Sequence, residues 1–319
     1  MTVVLLIVGL ALILFGANYL TEGAADMAKR MRVSEFVVGL TVVAMGTSMP
    51  EFVVSFMSAL QGKADVAVGN IVGSNLFNGL FILGVTALIL PLKYTRDSLK
   101  KDILFGVLAS VVLFIVASDT LLERASANVI NRSEGILMLG FFVIFMIYTI
   151  YSAQGPRRTK RVRPPVVVKR KLWLSLVMLV GGLAGLIYGG SLFLDNAIVL
   201  AQHMGVSESV IAVTLLAGGT SLPELSASVV SAVKKKPGIA LGNVIGSNIF
   251  NIFLILGVSA TVSPLTTGDI IPADMLAVIA AAMLLFLCAY TFKKATLDRI
   301  EAVIFILLYV GYIAWVLNR

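Results

Sequence analysis

Long apolar stretches separated by short polar segments run along the whole chain. A helix of about 20 apolar residues is long enough to cross the hydrocarbon core of a bilayer. Cutting the apolar stretches at charged residues and at Gly/Pro clusters predicts ten such helices. They are expected near residues 3–20, 35–60, 67–90, 103–118, 135–152, 172–194, 207–233, 240–262, 272–292 and 300–317. The pattern therefore predicts an all-α membrane protein with ten transmembrane helices.

The composition supports this prediction. Of the 319 residues, 59% are hydrophobic and 13% are charged, whereas soluble domains are about 45–50% apolar and about 25% charged. The single cysteine, Cys288, and the single histidine, His203, exclude a disulfide framework and a metal site built from Cys and His.

The basic residues are distributed unevenly between the two sides of the predicted membrane protein. If all ten helices span, 21 of the 25 Lys and Arg residues fall on one side. The longest loop on that side, residues 153–171, carries eight of them and no acid. The positive-inside rule places this loop in the cytoplasm and both termini outside the cell membrane. Orientation and anionic lipid headgroups thus explain the net charge of +8, so we expect no nucleic-acid partner.

The chain contains an internal repeat. Residues 34–78 align without a gap with residues 207–251, and 22 of these 45 positions are identical, many of them polar or small. The same register continues on both sides of this stretch. The prediction is a first five-helix repeat (1–152), a basic linker (153–171) and a second five-helix repeat (172–319). Because five is odd, the second repeat must be inverted in the membrane, an arrangement typical of secondary transporters.

The first repeated motif places a carboxylate in the middle of an apolar helix. It reads GTSMPE at 46–51 and GTSLPE at 219–224. A charged side chain at this depth costs several kcal/mol, so Glu51 and Glu224 are expected to face an interior site. Without basic partners, the two carboxylates must be neutralised by protons or bound cations. Either one Ca²⁺ or two or more Na⁺ would neutralise the two carboxylates. A site that is stable only when it holds one ion type or the other is suited to ion exchange.

Proline and hydroxyl residues accompany each glutamate. Pro50 and Pro223 have no N–H to donate, so each helix should break and leave free carbonyl oxygens. Helical spacing also predicts that Thr47 and Ser48 lie on the same side as the Glu51 carboxylate.

The second repeated motif reads GNIVGSNLFN at 69–78 and GNVIGSNIFN at 242–251. Every fourth residue is polar, which gives one stripe of Asn70, Ser74 and Asn78 and a second of Asn243, Ser247 and Asn251. These amides and hydroxyls could instead form interhelical hydrogen bonds, above all Asn70, Asn75, Asn243 and Asn248. With the carboxylates they make an oxygen ligand set that suits Na⁺, Ca²⁺, Mg²⁺ or Mn²⁺ rather than zinc, copper or iron.

The two duplicated motifs resemble the alpha-repeats of the calcium/cation antiporter superfamily, most closely the prokaryotic sodium/calcium exchangers. This resemblance implies a central calcium site and flanking sodium sites, with the first and sixth helices sliding against the other eight. The calcium ligands would be Glu51, Glu224, Thr47 and Thr220. The sodium ligands would be Ser48, Ser74, Ser221, Ser247 and the carbonyls around Ala44 and Ala217, with Asn78 and Asn251 lining the centre. Asparagine at 251, where potassium-dependent members carry aspartate, argues against K⁺ transport.

The expected function is electrogenic exchange of Ca²⁺ for Na⁺ by alternating access, in a protein that works as a monomer. The closest alternative is a Ca²⁺/H⁺ exchanger that uses the same glutamates. An intramembrane hydrolase would need a nucleophile and a base that the apolar helices do not offer, and a channel seldom needs a duplicated site. We therefore expect neither an enzyme nor a cofactor. Four further acids are expected to be solvated outer residues: Asp119, Asp195, Asp269 and Asp274.

Overall fold

A computed structural model describes residues 2–93, 97–153, 170–203, 217–268, 270–288 and 296–318, with the side chains of 97–100 and 217 excepted. The helices of the first half are α1 Thr2–Met31, α2 Glu35–Thr47, α3 Met49–Leu60, α4 Ala64–Ile89, α5 Asp97–Val116, α6 Asp119–Leu122 and α7 Arg132–Ala153. Those of the second half are α8 Leu172–His203, α9 Ala217–Gly219, α10 Leu222–Val233, α11 Pro237–Val262, α12 Pro272–Cys288 and α13 Arg299–Leu317.

The protein is a multi-pass membrane protein. In the described ranges, six helices are long and apolar enough to span: α1, α4, α7, α8, α11 and α13. The pair α2 and α3, bent by 46°, gives a seventh if it counts as one span. Two of the ten predicted spans, 207–233 and 272–292, fall partly outside the described residues, as does most of the linker 153–171. The count of ten therefore remains a prediction.

The two helices that carry the second motif form the centre of the molecule. In the most apolar part of each helix, 78% of the residues of α4 and 89% of those of α11 are buried, against 17% for α7 and for α13. A π-helical turn widens each central helix from the last two residues of the motif onward, at Phe77–Ile82 in α4 and at Phe250–Leu256 in α11. Such turns are rare and often lie at functional sites. Equivalent positions of the repeat meet here, since Asn248 Nδ2 donates to the carbonyl oxygen of Asn75 at 3.4 Å.

The helices α1 and α8 pack along each other through glycine. A Cβ on Gly16 would lie 2.7 Å from the nitrogen of Leu186, and a Cβ on Gly182 would lie 2.4 Å from the nitrogen of Leu20. Only glycine permits this approach, as in small-residue interfaces of membrane helices generally. Both helices continue beyond their predicted ends at residues 20 and 194, to Met31 and His203. The end of the apolar run therefore did not mark the end of the helix.

Two short antiparallel ribbons connect the halves of the chain. Strand β1 (Leu92–Lys93) pairs with β4 (Thr296–Leu297), and β2 (Val129–Ile130) pairs with β3 (Leu265–Thr266). Each ribbon therefore takes one strand from the first half and one from the second.

Candidate ion-binding site

Both glutamate-bearing helices are interrupted one turn before the carboxylate. The backbone of Ser48 (φ −79°, ψ 8°) leaves α-helical geometry between α2 and α3, and Ser221 (φ −87°, ψ 10°) does the same before α10. Proline follows in the first turn of the next helix, where its missing N–H costs nothing. The predicted breaks are confirmed, and they leave Glu51 and Glu224 in the first turn of α3 and α10.

The two carboxylates are fully buried and each is bound by a serine from the other half of the chain. Ser48 Oγ donates to Glu224 Oε1 at 3.0 Å, and Ser221 Oγ donates to Glu51 Oε1 at 2.8 Å. The sequence predicted that Ser48 lies on the same side of one helix as the Glu51 carboxylate. In the structure the helix breaks at Ser48, and its hydroxyl is bonded to Glu224 of the other half instead. The remaining oxygens, Oε2 of both glutamates, have no hydrogen-bond partner in the described structure.

The threonines of the first motif also reach across the molecule. Thr47 Oγ1 donates to Asn243 Oδ1 at 3.1 Å, and Thr220 Oγ1 donates to Asn70 Oδ1 at 3.3 Å. The first asparagine in each copy of the second motif therefore contacts the threonine of the opposite half.

The other polar residues of the second motif are buried but poorly satisfied. Within the described ranges, Ser74 Oγ, Ser247 Oγ and both polar atoms of the Asn78 side chain have no partner. Asn251 Nδ2 donates to Asn75 Oδ1 at 3.1 Å, which leaves Asn251 Oδ1 unpaired. Unpaired buried polar atoms are costly in apolar surroundings, and a cation would use these oxygens.

Of the two carbonyl ligands implied by resemblance, one can be placed. The Ala44 carbonyl accepts the N–H of Ser48 at 3.0 Å and a longer hydrogen bond from Thr47 Oγ1 at 3.4 Å. Ala217 begins the short helix α9 just before Thr220.

Carboxylates are scarce around this site. No three His, Cys, Asp or Glu side chains come together among the described residues, so a cation here would depend on hydroxyl, amide and carbonyl oxygens as well as two carboxylates. Asp274, expected to be solvated, is instead fully buried, where it accepts a hydrogen bond from Tyr312 Oη at 2.9 Å. Its position at the start of an apolar helix concealed this partner, which lies in α13. Asp195 is exposed as predicted, while Asp269 lies outside the described residues.

A cavity of about 510 Å³ reaches the site from one end of the molecule. It lies between α3 and α8, and Pro50, Leu194, Asp195, Thr220 and Pro223 are among the residues that line it. Since Thr220 borders the cavity, a small ion could approach the buried oxygens from there.

Comparison with known proteins identifies the family. A family model described as sodium/calcium exchanger protein matches residues 1–151 and 174–318, which is nearly the whole chain. The chain belongs to this family. The exchanger is 35% identical to the putative antiporter CaxA of Alkalimonas amylolytica, over 97% of this chain and 96% of that protein. It is 31% identical to the sodium/calcium exchanger MaX1 of Methanosarcina acetivorans, over 97% of this chain and 96% of the relative.

A solved structure shares the fold. The sodium-calcium exchanger NCX_Mj superposes with a TM-score of 0.84 at 31% identity, covering 99% of this chain and 98% of the other. The predicted superfamily is thereby confirmed, and the exchanger is a membrane ion antiporter by family.

Two buried serines near the site were missed by sequence reasoning. Ser55 and Ser228 are fully buried and accept hydrogen bonds from Asn70 and Asn243. They occupy equivalent positions in the sequence repeat, and this repetition of a hydroxyl inside an apolar helix was the available signal.

Proposed function

We propose that this exchanger carries Ca²⁺ out of the cell in exchange for Na⁺ by alternating access, with more than two Na⁺ per Ca²⁺. The observation that carries the proposal is the pair of buried glutamates, each held by a serine of the opposite half and each with one unpaired oxygen. Two negative charges that no basic side chain of the described residues bonds need about two positive charges, which one Ca²⁺ or two Na⁺ supplies. A third Na⁺ would make the exchange electrogenic.

The proposed ligands come in equivalent pairs, one residue from each half of the chain. Glu51, Glu224, Thr47 and Thr220 bind Ca²⁺, and the serines at 48, 74, 221 and 247 with the Ala44 and Ala217 carbonyls bind Na⁺. Asn78 and Asn251 line the space between the two glutamates. The hydroxyls of Ser74 and Ser247 support this assignment, because each offers lone pairs that no donor in the described part of the chain uses.

The proposed architecture has ten spans in two inverted repeats, 1–152 and 172–319, with the basic linker 153–171 in the cytoplasm and both termini outside. The cross-half pairing of Ser48 with Glu224 and Ser221 with Glu51 supports the repeat. One chain supplies every proposed ligand, so we propose that the monomer is the functional unit.

Calcium uptake into proteoliposomes, with Na⁺, K⁺ and pH gradients imposed separately, tests the function. We expect ⁴⁵Ca²⁺ uptake that an outward Na⁺ gradient drives and that a membrane potential modulates. Uptake driven by a pH gradient alone, with no need for Na⁺, would contradict the proposal and identify a Ca²⁺/H⁺ exchanger instead.

A further inference from the structure

Asn70 and Asn243 occupy equivalent positions in the two central helices and make the same contacts. Asn243 is fully buried. Its Nδ2 donates to the carbonyl oxygen of Glu224 at 3.3 Å and to Ser228 Oγ at 3.1 Å. Its Oδ1 accepts the hydroxyl of Thr47 at 3.1 Å. All three polar contacts of this side chain thus involve groups in or directly beside the ion-binding site.

The partly buried Asn70 repeats this pattern in the other half. Its Nδ2 donates to the carbonyl oxygen of Glu51 at 3.4 Å and to Ser55 Oγ at 3.0 Å, while its Oδ1 accepts the hydroxyl of Thr220 at 3.3 Å. Hydrogen bonds that merely join helices need not be duplicated atom for atom. Here the donor, the two acceptors and the threonine are all the same in the two halves of one chain.

The direction of the threonine hydrogen decides what its oxygen can bind. A hydroxyl has one hydrogen and two lone pairs. If Thr47 gives its hydrogen to Asn243 Oδ1, the lone pairs remain available to a cation. Thr47 also lies beside the carboxylate of Glu224. Without Asn243, the hydroxyl would turn toward this charged acceptor rather than to the neutral Ala44 carbonyl oxygen 3.4 Å away, because hydrogen bonds to ionised groups are the stronger ones. The hydrogen would then occupy a carboxylate lone pair that a cation needs.

We propose that Asn70 and Asn243 are positioning residues for cation binding. Each fixes the threonine of the opposite half as a hydrogen donor away from the ion, and ties it to the backbone of the glutamate in its own half. This inference rests on the proposed function, because it takes Thr47, Thr220 and the glutamates as cation ligands. It makes the two halves of the site interdependent, since disturbing one asparagine alters a threonine from one repeat and a glutamate from the other.

The test compares Asn243→Leu with Ser228→Ala in purified protein and proteoliposomes. Asn243→Leu removes the nearer acceptor of the Thr47 hydroxyl, leaves only the Ala44 carbonyl oxygen at 3.4 Å, and keeps the volume similar. Ser228→Ala removes only the partner of Nδ2 and leaves the bond between Thr47 and Asn243. We expect Asn243→Leu to raise the KM for Ca²⁺ and the Kd for Ca²⁺ in detergent roughly tenfold, a change of about 1.4 kcal/mol. The maximal rate should fall less than threefold. Ser228→Ala should leave both constants within twofold.

A double substitution separates positioning from a general structural role. If Asn243 acts through Thr47, Asn243→Leu should add little to the effect of Thr47→Val, since interacting residues are not additive. Thr47→Ser, which keeps the hydroxyl, should bind Ca²⁺ nearly as the native chain does. Full additivity, or a lower maximal rate with an unchanged KM, would overturn the proposal. Should Asn243→Leu fail to fold, Asn70→Leu applies the same test through Thr220 at a less buried position.

The native chain serves as the control for the function itself. Absence of Na⁺-driven Ca²⁺ uptake by the native chain would overturn the proposed function. Uptake by the native chain together with an unchanged Ca²⁺ affinity in both asparagine variants would overturn the positioning role alone.

Discussion

The helix pair α1 and α8 meets the rest of the molecule differently at its two ends. At the basic end, defined by Arg30, Arg170 and Lys234, α1 packs against α10. At the opposite end, marked by Asp195, the cavity of about 510 Å³ separates α8 from α3. The pair α1 and α10 corresponds in the repeat to the pair α8 and α3. The sequence differences between these two helix pairs therefore show why one is in contact and the other is separated.

Polar cross-links close the basic end. Lys234 Nζ lies 2.8 Å from Glu22 Oε1, and Thr21 Oγ1 lies 3.0 Å from Ser231 Oγ. Arg170 adds bonds to Glu22 at 3.0 Å and to Asp26 at 3.1 Å. The lysine and glutamate side chains are only 22% and 27% exposed, so solvent screens their attraction less than at an open surface.

The equivalent positions at the opposite end cannot form these links. In the register of the repeat, Glu22 corresponds to Asp195, Lys234 to Gln61 and Thr21 to Leu194. The register therefore pairs an acid with an amide instead of an ammonium group, and a leucine replaces a hydroxyl. The comparison indicates that the repeat supplies the architecture of both ends, while a few charge differences decide which end is shut. Under the proposed alternating access, opening the basic end would require the bond between Lys234 and Glu22 to break.

The largest expected effect comes from changing the two glutamates of the proposed ion-binding site. Glu51→Gln or Glu224→Gln removes half of its negative charge, and loss of one buried charged partner costs about 2 kcal/mol or more, roughly 30-fold in affinity. We expect Na⁺-driven ⁴⁵Ca²⁺ flux in proteoliposomes to disappear in either variant. The size-exclusion profile in detergent should stay native, because the amide keeps the shape of the acid. Retained flux in both variants would show that the ions pass elsewhere.

Removing the ion pair should open the basic end. Lys234→Gln gives this end the residue found at position 61, and the lost pair is worth about 1 kcal/mol, roughly a fivefold shift in population. The measurement is maleimide labelling of Ala227→Cys in a Cys288→Ala background. Ala227 is 1% exposed at the contact of α10 with α1, and labelling should become roughly fivefold faster.

Val54→Cys is the matched control for that experiment. Val54 corresponds to Ala227 in the repeat and lines the cavity at the opposite end. It should label quickly in the native background and no faster in Lys234→Gln. Equal labelling of the two cysteine variants in the native background would mean that the two ends do not differ.

A smaller effect is expected from adding a charge at the open end. Gln61→Lys places an ammonium group opposite Asp195, which is exposed, so the new pair should contribute about 0.5 kcal/mol. Labelling of Val54→Cys should slow by roughly twofold. Gln61→Met, which has similar length and no charge, should leave the rate unchanged, and an equal slowing by methionine would attribute the effect to bulk.

The smallest effect should come from ionic strength. Raising choline chloride from about 0.1 M to about 1 M shortens the Debye length from about 10 Å to about 3 Å, so the partly buried pair of Lys234 and Glu22 should weaken slightly. Ala227→Cys should label less than twice as fast. In Lys234→Gln the salt effect should vanish, and a persistent salt effect there would point to another group.

Much of this fold could be predicted from the sequence, because the features that encode it are local. Apolar runs marked the helices, the match between 34–78 and 207–251 marked the repeat, and Pro50 and Pro223 marked the breaks beside the glutamates. The pairing of Ser48 with Glu224 could not be predicted in this way. It depends on how two broken helices face each other, which the spacing within one helix does not reveal.

The same limit explains the other differences. Asp274 was expected in solvent because its neighbours in sequence lie at a helix end, yet its partner Tyr312 comes from α13. The closed basic end also escaped prediction. Glu22 and Lys234 are far apart in sequence, and only the packing of α1 against α10 brings their charges together.

The two β-ribbons and the crossed serine–glutamate bonds bear on how such a chain could arise. A polypeptide of half this length would have neither a partner strand for β1 nor a serine for its own glutamate. In the proposed inverted arrangement, such a half would become complete only beside a second copy inserted in the opposite orientation in the same membrane. Joining two copies in one gene fixes their number and relative orientation at translation, and afterwards each copy is free to change alone. The lysine at 234 and the glutamine at 61 are one result of that freedom.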